Sequence, residues 1–312
     1  MLRLEASENA ILSSTTYCPT RVTVFGKGAT IDYDLGAGNW NTPFQKPEGR
    51  GIKSITLPDE ATNEGYTMPP VVYIAGGGGE GATAHVRFDP RTGRIDREIE
   101  VTSPGCYFIS PPTVTIKAPD MKTDVTCHVE LTEGEQESGG LTKTGTGYLS
   151  VYAANTYTGE TVVAGGTFYM QHAEAVPHLS TIRLAGGHLA TRTFNPSRAR
   201  FGGYGTFASW NDYRLTITNE LYYSAADLEQ GRNIKCTGGH FYLGNNCVVS
   251  IDDFGSLTQD RYTLMQTSGT GIIHGTAKFA NAVATANPCW RVSCDSSRIL
   301  LRRLKGVVFS VR

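Results

Sequence analysis

Apolar and polar residues alternate with a period of two along most of this chain, in short runs closed by Gly, Asn, Pro or Thr. Residues 180–184, 188–191, 214–217, 240–243 and 248–251 all read this way. Each presents Leu, Ile, Val or Phe to one face and Thr, Ser, Arg or His to the other, as a half-buried strand does. Residues 22–24 and 29–32 carry the same pattern near the start. Gly186-Gly187, Gly202-Gly203 and Gly238-Gly239 punctuate the runs at points where a chain must bend sharply. Long helical periodicity is missing, so the alternation predicts an all-β protein of many short strands.

The first half contains a repeat. Residues 52–57 lead through a Tyr-containing turn to Pro69-Pro70 and a strand at 71–74, and a third strand follows at 82–88. Residues 98–102, Pro111-Pro112, 113–116 and 125–131 repeat the order. Pro-Pro excludes helix and breaks a hydrogen-bond ladder, so it marks a strand entrance. The first copy carries Gly76-Gly77-Gly78-Gly79, where the second has residues 117–122 without glycine. A phosphate-cradling loop would need a following helix. The segment after this run alternates as a strand, so the glycines read as a turn device. The two copies resemble a short β module of large secreted and surface bacterial proteins. The polar stretch 133–138 reads as a linker.

Residues 139–151, 155–161 and 165–168 form three short strands with Gly-rich or Asn/Thr-rich corners, with Leu149, Val151, Val163 and Phe168 as the apolar positions. This segment closely resembles the passenger-associated (autotransporter-associated) β-strand repeat of bacterial surface proteins. The last fifty residues, with Tyr262, Leu264, Trp290 and the run 299–302, resemble the closing strands of such proteins. The resemblance implies a fold that is mainly a right-handed parallel β-helix or solenoid with the small β repeat module inserted. The expected divisions are a solenoid start at 1–50, the module at 51–132, the linker at 133–138, a passenger-type solenoid at 139–260 and capping strands at 261–312. It implies a non-catalytic stalk or adhesin-like passenger at the cell surface, associated with the outer membrane or secreted. A carbohydrate-active β-helix enzyme and a phage fibre-like structural protein are the alternatives.

Composition supports the architecture and narrows the partners. Glycine takes 36 of 312 positions, about twice average usage. Twenty-eight basic residues against 29 acidic ones give no electrostatic case for nucleic acid. No apolar run approaches the roughly 20 residues of a membrane-spanning helix, and no signal-peptide core opens the chain. A piece of a longer exported protein is the expectation, with glycans or host and cell-surface proteins as partners and no cofactor.

Candidate chemistry is sparse. Asp252-Asp253 is an adjacent acidic pair, but it sits at a strand end where Asp commonly makes a turn. His85 and His128 occupy matching places in the two copies and could be neighbours. No catalytic or metal-ligating set emerges. Tyr204, Phe207, Trp210 and Tyr213 concentrate aromatics beside Asn and Asp, so they are the candidate sugar- or protein-binding residues, with core packing as the alternative. Seven cysteines follow no disulfide framework. They read as buried thiols or as two pairs, Cys236–Cys247 and Cys289–Cys294.

Overall fold

The computed structural model describes residues 2–4, 22–34, 36–118, 124–178, 180–192, 197–209, 213–279 and 289–304. They are nearly all β. The chain divides into two compact units, Met1–Gln45 with Gly139–Arg312, and Lys46–Ser138.

In the first unit, strands stack in parallel register. One ladder carries Ala29 against Leu141, Leu141 against Thr161, Thr161 against Ile182, Ile182 against Phe201, Phe201 against Leu221, Leu221 against Val249 and Val249 against Phe279. From Leu141 to Leu221 the steps are 20, 21, 19 and 20 residues. A second ladder carries Gly38, Leu149, Phe168, Leu189, Phe207, Cys236 and Thr267 in turn. A third joins Leu215, Phe241 and Ile273. Strand alternation turns these columns inward, so Leu149, Phe168, Ile182, Phe201, Phe207, Phe241 and Val249 share one buried core. Each coil buries apolar area against the next, at about 25 cal/mol per Å².

The corners are tight where consecutive coils touch. A Cβ on Gly140 would lie 1.9 Å from the Glu160 carbonyl oxygen, and one on Gly159 would lie 2.3 Å from the Gly139 backbone. Only hydrogen fits there. Buried polar side chains tie the coils together. The Asn155 side chain accepts from Phe44 N at 2.9 Å and donates to the Ala175 carbonyl at 2.6 Å. Lys143 stands in an inward column between Ile31 and Val163. It is 1% exposed, and its ammonium donates to the carbonyls of Tyr33 (3.3 Å), Gly145 (3.1 Å), Gly165 (3.4 Å) and Thr144. Those acceptors come from three successive coils. A buried cation needs this many partners, because desolvation alone would expel it.

Two features depart from simple stacking. A short helix, Ala225–Glu229, follows Ser224 and buries Ala225 and Leu228 three positions apart. Its Ala-Ala-Asp-Leu-Glu sequence favours helix, but five residues are too few to show a period. The last strands, Trp290–Cys294 and Arg298–Arg303, form an antiparallel hairpin laid antiparallel on Arg261–Thr267. The β structure is therefore mixed rather than uniformly parallel.

The second unit is antiparallel, and its two repeat copies interlock. The strands after the Pro-Pro pairs, Val71–Ala75 and Thr113–Lys117, pair with each other. The third strand of each copy pairs with the first strand of the other: Glu80–His85 with Glu98–Cys106, and Val125–Leu131 with Ile52–Thr56. Ile52, Ile55, Ile99, Phe108, Val114 and Ile116 form the core. The four-glycine run is a packing device, since a Cβ on Gly79 would fall 2.4 Å from the Phe108 ring. The stretch 133–138, expected as a linker, belongs to this unit. Gln136 donates to the Gly105 carbonyl at 2.7 Å, and Glu135 meets Lys46 at 3.5 Å.

Candidate functional site

The four candidate aromatics do not form one surface. Phe207 is fully buried, with its ring 5.6 Å from Phe241 and 6.5 Å from Phe201, so it is a core residue and cannot meet a ligand. Tyr204 is half-buried beneath the Arg232 guanidinium, 4.7 Å from its ring centroid. Tyr213 is half-buried, and its carbonyl accepts the Ser209 hydroxyl. Trp210 lies outside the described residues.

Neither cysteine pair is bonded; all four thiols are free. Cys289 and Cys294 bracket one continuous strand. Five steps of extended chain span about 16 Å, far beyond the Cα separation of about 4.4–6.8 Å that a disulfide allows. Cys236 stacks between Phe207 and Thr267, while Cys247 lies before the Val248–Asp252 strand. Burial pushes these two thiols up to about 11 and about 12, so both stay protonated and unreactive near neutrality.

The remaining sequence candidates separate or become turns. Strands bearing His85 and His128 are three steps apart in the sheet order, roughly 14 Å at the usual spacing. His85 instead faces Glu100 at 3.6 Å. Asp252 and Asp253 are both exposed, and Asp253 (φ 53°) turns the chain into a 3-10 segment. Among the described residues, no cluster of three or more His, Cys, Asp or Glu converges as metal donors.

Parallel stacking assembles two sites that sequence reasoning missed. The first is a charged ladder. Glu160 accepts from Arg183 Nε at 2.8 Å and from the Tyr222 hydroxyl at 2.6 Å. Glu220 pairs with Arg200 Nε at 2.5 Å and accepts the Ser250 hydroxyl. The Arg200 guanidinium lies 4.8 Å from the Tyr222 ring centroid and joins the two halves. The bond to Glu160 raises the Arg183 pKa, while burial and then the same carboxylate hold the Tyr222 phenol above its usual range. Both carboxylates are engaged by a guanidinium and a hydroxyl. Chemically, the ladder is a set of closed ion pairs.

The second is a cleft of about 350 Å³ on the outward side of the second ladder. One wall is the column Tyr148, Thr167 and His188, and the floor is Ala190, Ala208 and Gly238. Small residues stacked on successive coils make the depression. Thr237, Thr270 and Ser209 bring hydroxyls to it. Besides the Tyr148 phenol, His188 is the one titratable side chain among the described residues lining the cleft, and burial lowers its pKa. His188 Nε2 is buried and has no hydrogen-bond partner. The lining is otherwise hydroxyl groups, the Tyr148 ring and small side chains.

The passenger-associated-transport-repeat family model matches residues 141–168. Those residues run from the first strand of one coil, Leu141–Thr144, through Tyr148–Val151 and Thr161–Val163 to the buried Phe168 of the next. The chain is also similar to the adhesin BmaC autotransporter of Brucella suis biovar 1 (strain 1330), 25% identical over 304 residues. That alignment covers 90% of this chain and 8% of the relative, so the chain spans less than a tenth of that protein's length. The chain thus carries a passenger-associated transport repeat, seated in two adjoining turns of the parallel stack.

Proposed function

We propose that the chain is a non-catalytic, adhesin-like passenger segment displayed at the cell surface or secreted, and that its first unit is a right-handed β-solenoid stalk. The observation that carries this reading is the run of parallel steps near 20 residues, from Leu141 to Leu221, over one continuous core. A stack of this kind adds stability coil by coil and presents long faces for contact. The similarity to a protein named an adhesin supports the same assignment. The contact site is the neutral cleft, and its ligand class is an uncharged glycan: Tyr148 offers its ring, and Thr167 and Thr237 bring hydroxyls beside it.

A carbohydrate-active enzyme is the second reading, and the Glu160–Glu220 ladder is what favours it, because it places two carboxylates on one face. The two readings separate in one experiment. The chain is applied to a glycan array, and the bound glycans are then incubated with it and analysed for cleavage. Retention of uncharged glycans that is lost in Tyr148→Ala and His188→Ala, with the glycans intact, supports the stalk. Cleavage abolished by Glu160→Gln or Glu220→Gln would overturn it.

A further inference from the structure

On the third ladder, strands His240–Leu243 and Ile272–His274 lie in parallel register, with Tyr242 opposite His274. His240 Nδ1 and His274 Nε2 face each other at 2.7 Å. The rings are held from several sides. Tyr242 stacks on His274 with centroids 4.2 Å apart and planes within 10°, and the Arg214 guanidinium lies 5.0 Å from the Tyr242 ring centroid. Behind His240, Gly239 takes a left-handed φ of 68°, at a point where a Cβ would collide with the Ser209 side chain. The His240 backbone amide donates to the Ser209 hydroxyl at 3.2 Å. The backbone register holds the two residues side by side, and both imidazoles are only partly buried.

We propose that His240 and His274 form a two-imidazole site for a borderline divalent transition ion such as Zn²⁺, Ni²⁺ or Cu²⁺. The spacing of the two nitrogens, though not the present aim of the rings, is close to what coordination requires. Two imidazole nitrogens at about 2.0–2.1 Å from one ion, at angles near 90–109°, stand about 2.9–3.4 Å apart. The rings now meet head-on, with centroids 5.0 Å apart, so coordination needs the nitrogens a few tenths of an ångström farther apart and each ring swung by roughly 35–45°. The proton now shared between the rings moves to the far nitrogen of its own ring, so no net proton is released when both rings are neutral. Imidazole pairs suit these ions and do not suit Ca²⁺ or Mg²⁺, which seek oxygen ligands. The remaining coordination positions are left for water or for a ligand from a binding partner.

The test is calorimetric titration of the whole chain with ZnCl₂ and NiCl₂ in a non-coordinating buffer at pH 7.5, with CaCl₂ as a control. We expect one Zn²⁺ per chain and no heat from Ca²⁺. Binding should weaken at least ~10-fold in His240→Ala and equally in His274→Ala, by analogy with the ~10–100-fold cost of disturbing metal-supporting groups. It should be unchanged in His85→Ala. Absence of a 1:1 event in the wild type, or wild-type affinity in both variants, overturns the site and leaves the pair a hydrogen bond. Should a variant misfold, the wild type alone decides. Substoichiometric Cu²⁺ broadens the imidazole NMR signals of His240 and His274 first if the site is real, and broadens all exposed histidines alike if it is not.

Discussion

The two units use similar strands to opposite ends. In the first, a strand meets the strands about one coil away on either side, so structure accumulates in sequence order. In the second, the first and third strands of one repeat copy find their partners in the other copy, and neither copy closes a sheet alone. On these pairings the stack should be divisible and the interlocked module should not. Their polar interiors differ as well. The first unit buries Lys143, Asn155 and Arg198 among its coils, whereas the second unit's core cluster is apolar apart from the Tyr66 hydroxyl and the Cys127 thiol.

The sharpest way to break this contrast is deletion. Removing 98–131, the second copy, should abolish fixed structure throughout the second unit, because strands Ile52–Thr56, Val71–Ala75 and Glu80–His85 all lose partners. Removing 161–181 should leave the first unit folded, since it brings Ile182 into the register that Thr161 held above Leu141. Limited proteolysis and thermal unfolding would report both. Equal loss in the two deletions would end the claim that the first unit is divisible.

A smaller effect tests the buried cation. Lys143→Ala strips a donor from carbonyls of three coils and should cost about 2–3 kcal/mol in denaturant unfolding, from unsatisfied acceptors and lost volume. Lys143→Met restores the volume but not the donor and should recover less than half of that. Full recovery would mean that packing, not the ammonium, joins the coils.

The smallest effect concerns the thiols of the stack. Cys236 and Cys247 hold their protons up to about 11 and about 12 when folded, against roughly 8.5 in an unfolded chain. Between those limits the native state binds more protons. Their contribution is therefore complete below about pH 8.5 and falls as pH rises through the window. Cys247→Ala should flatten the alkaline decline of stability. A native thiol assay at pH 8 should label the exposed Cys289 and spare Cys236 and Cys247; rapid labelling of Cys247 would contradict its burial.

Much of the architecture was legible in the sequence, because alternation and corner glycines are local signals. Leu149, Val151, Val163 and Phe168, read as apolar strand positions, are all buried. The Gly76–Gly79 run was legible as a turn for the same reason. What escaped was set by register between distant strands. Phe207 sits beyond an irregularity between Ala185 and His188 in the pairing of its strand, so its direction could not be counted from Tyr204. The Glu160–Arg183–Tyr222 ladder and the cleft bring together residues spread over 62 and 122 positions. Nothing in a single strand announces such neighbours. Lys143 had a faint signal, an inward-phased Lys followed at once by Thr144-Gly145, which is a corner rich in free carbonyls. The cysteine pairs show that closeness in sequence says little about reach across a strand.

The interruption of the stack between Gln45 and Gly139 sets a timetable for folding. Leu141 reaches its next partner, Thr161, across 20 residues, but it reaches Ala29 across 112. With loop-closure entropy growing as the logarithm of length, the longer closure costs about 1.5 kcal/mol more. A chain emerging in extended form would therefore zip from Leu141 onward first and seat the Ala29–Tyr33 coil last, unless the intervening residues have already collapsed into their own module. The order in which the two units form would decide how quickly that coil of the stack is seated.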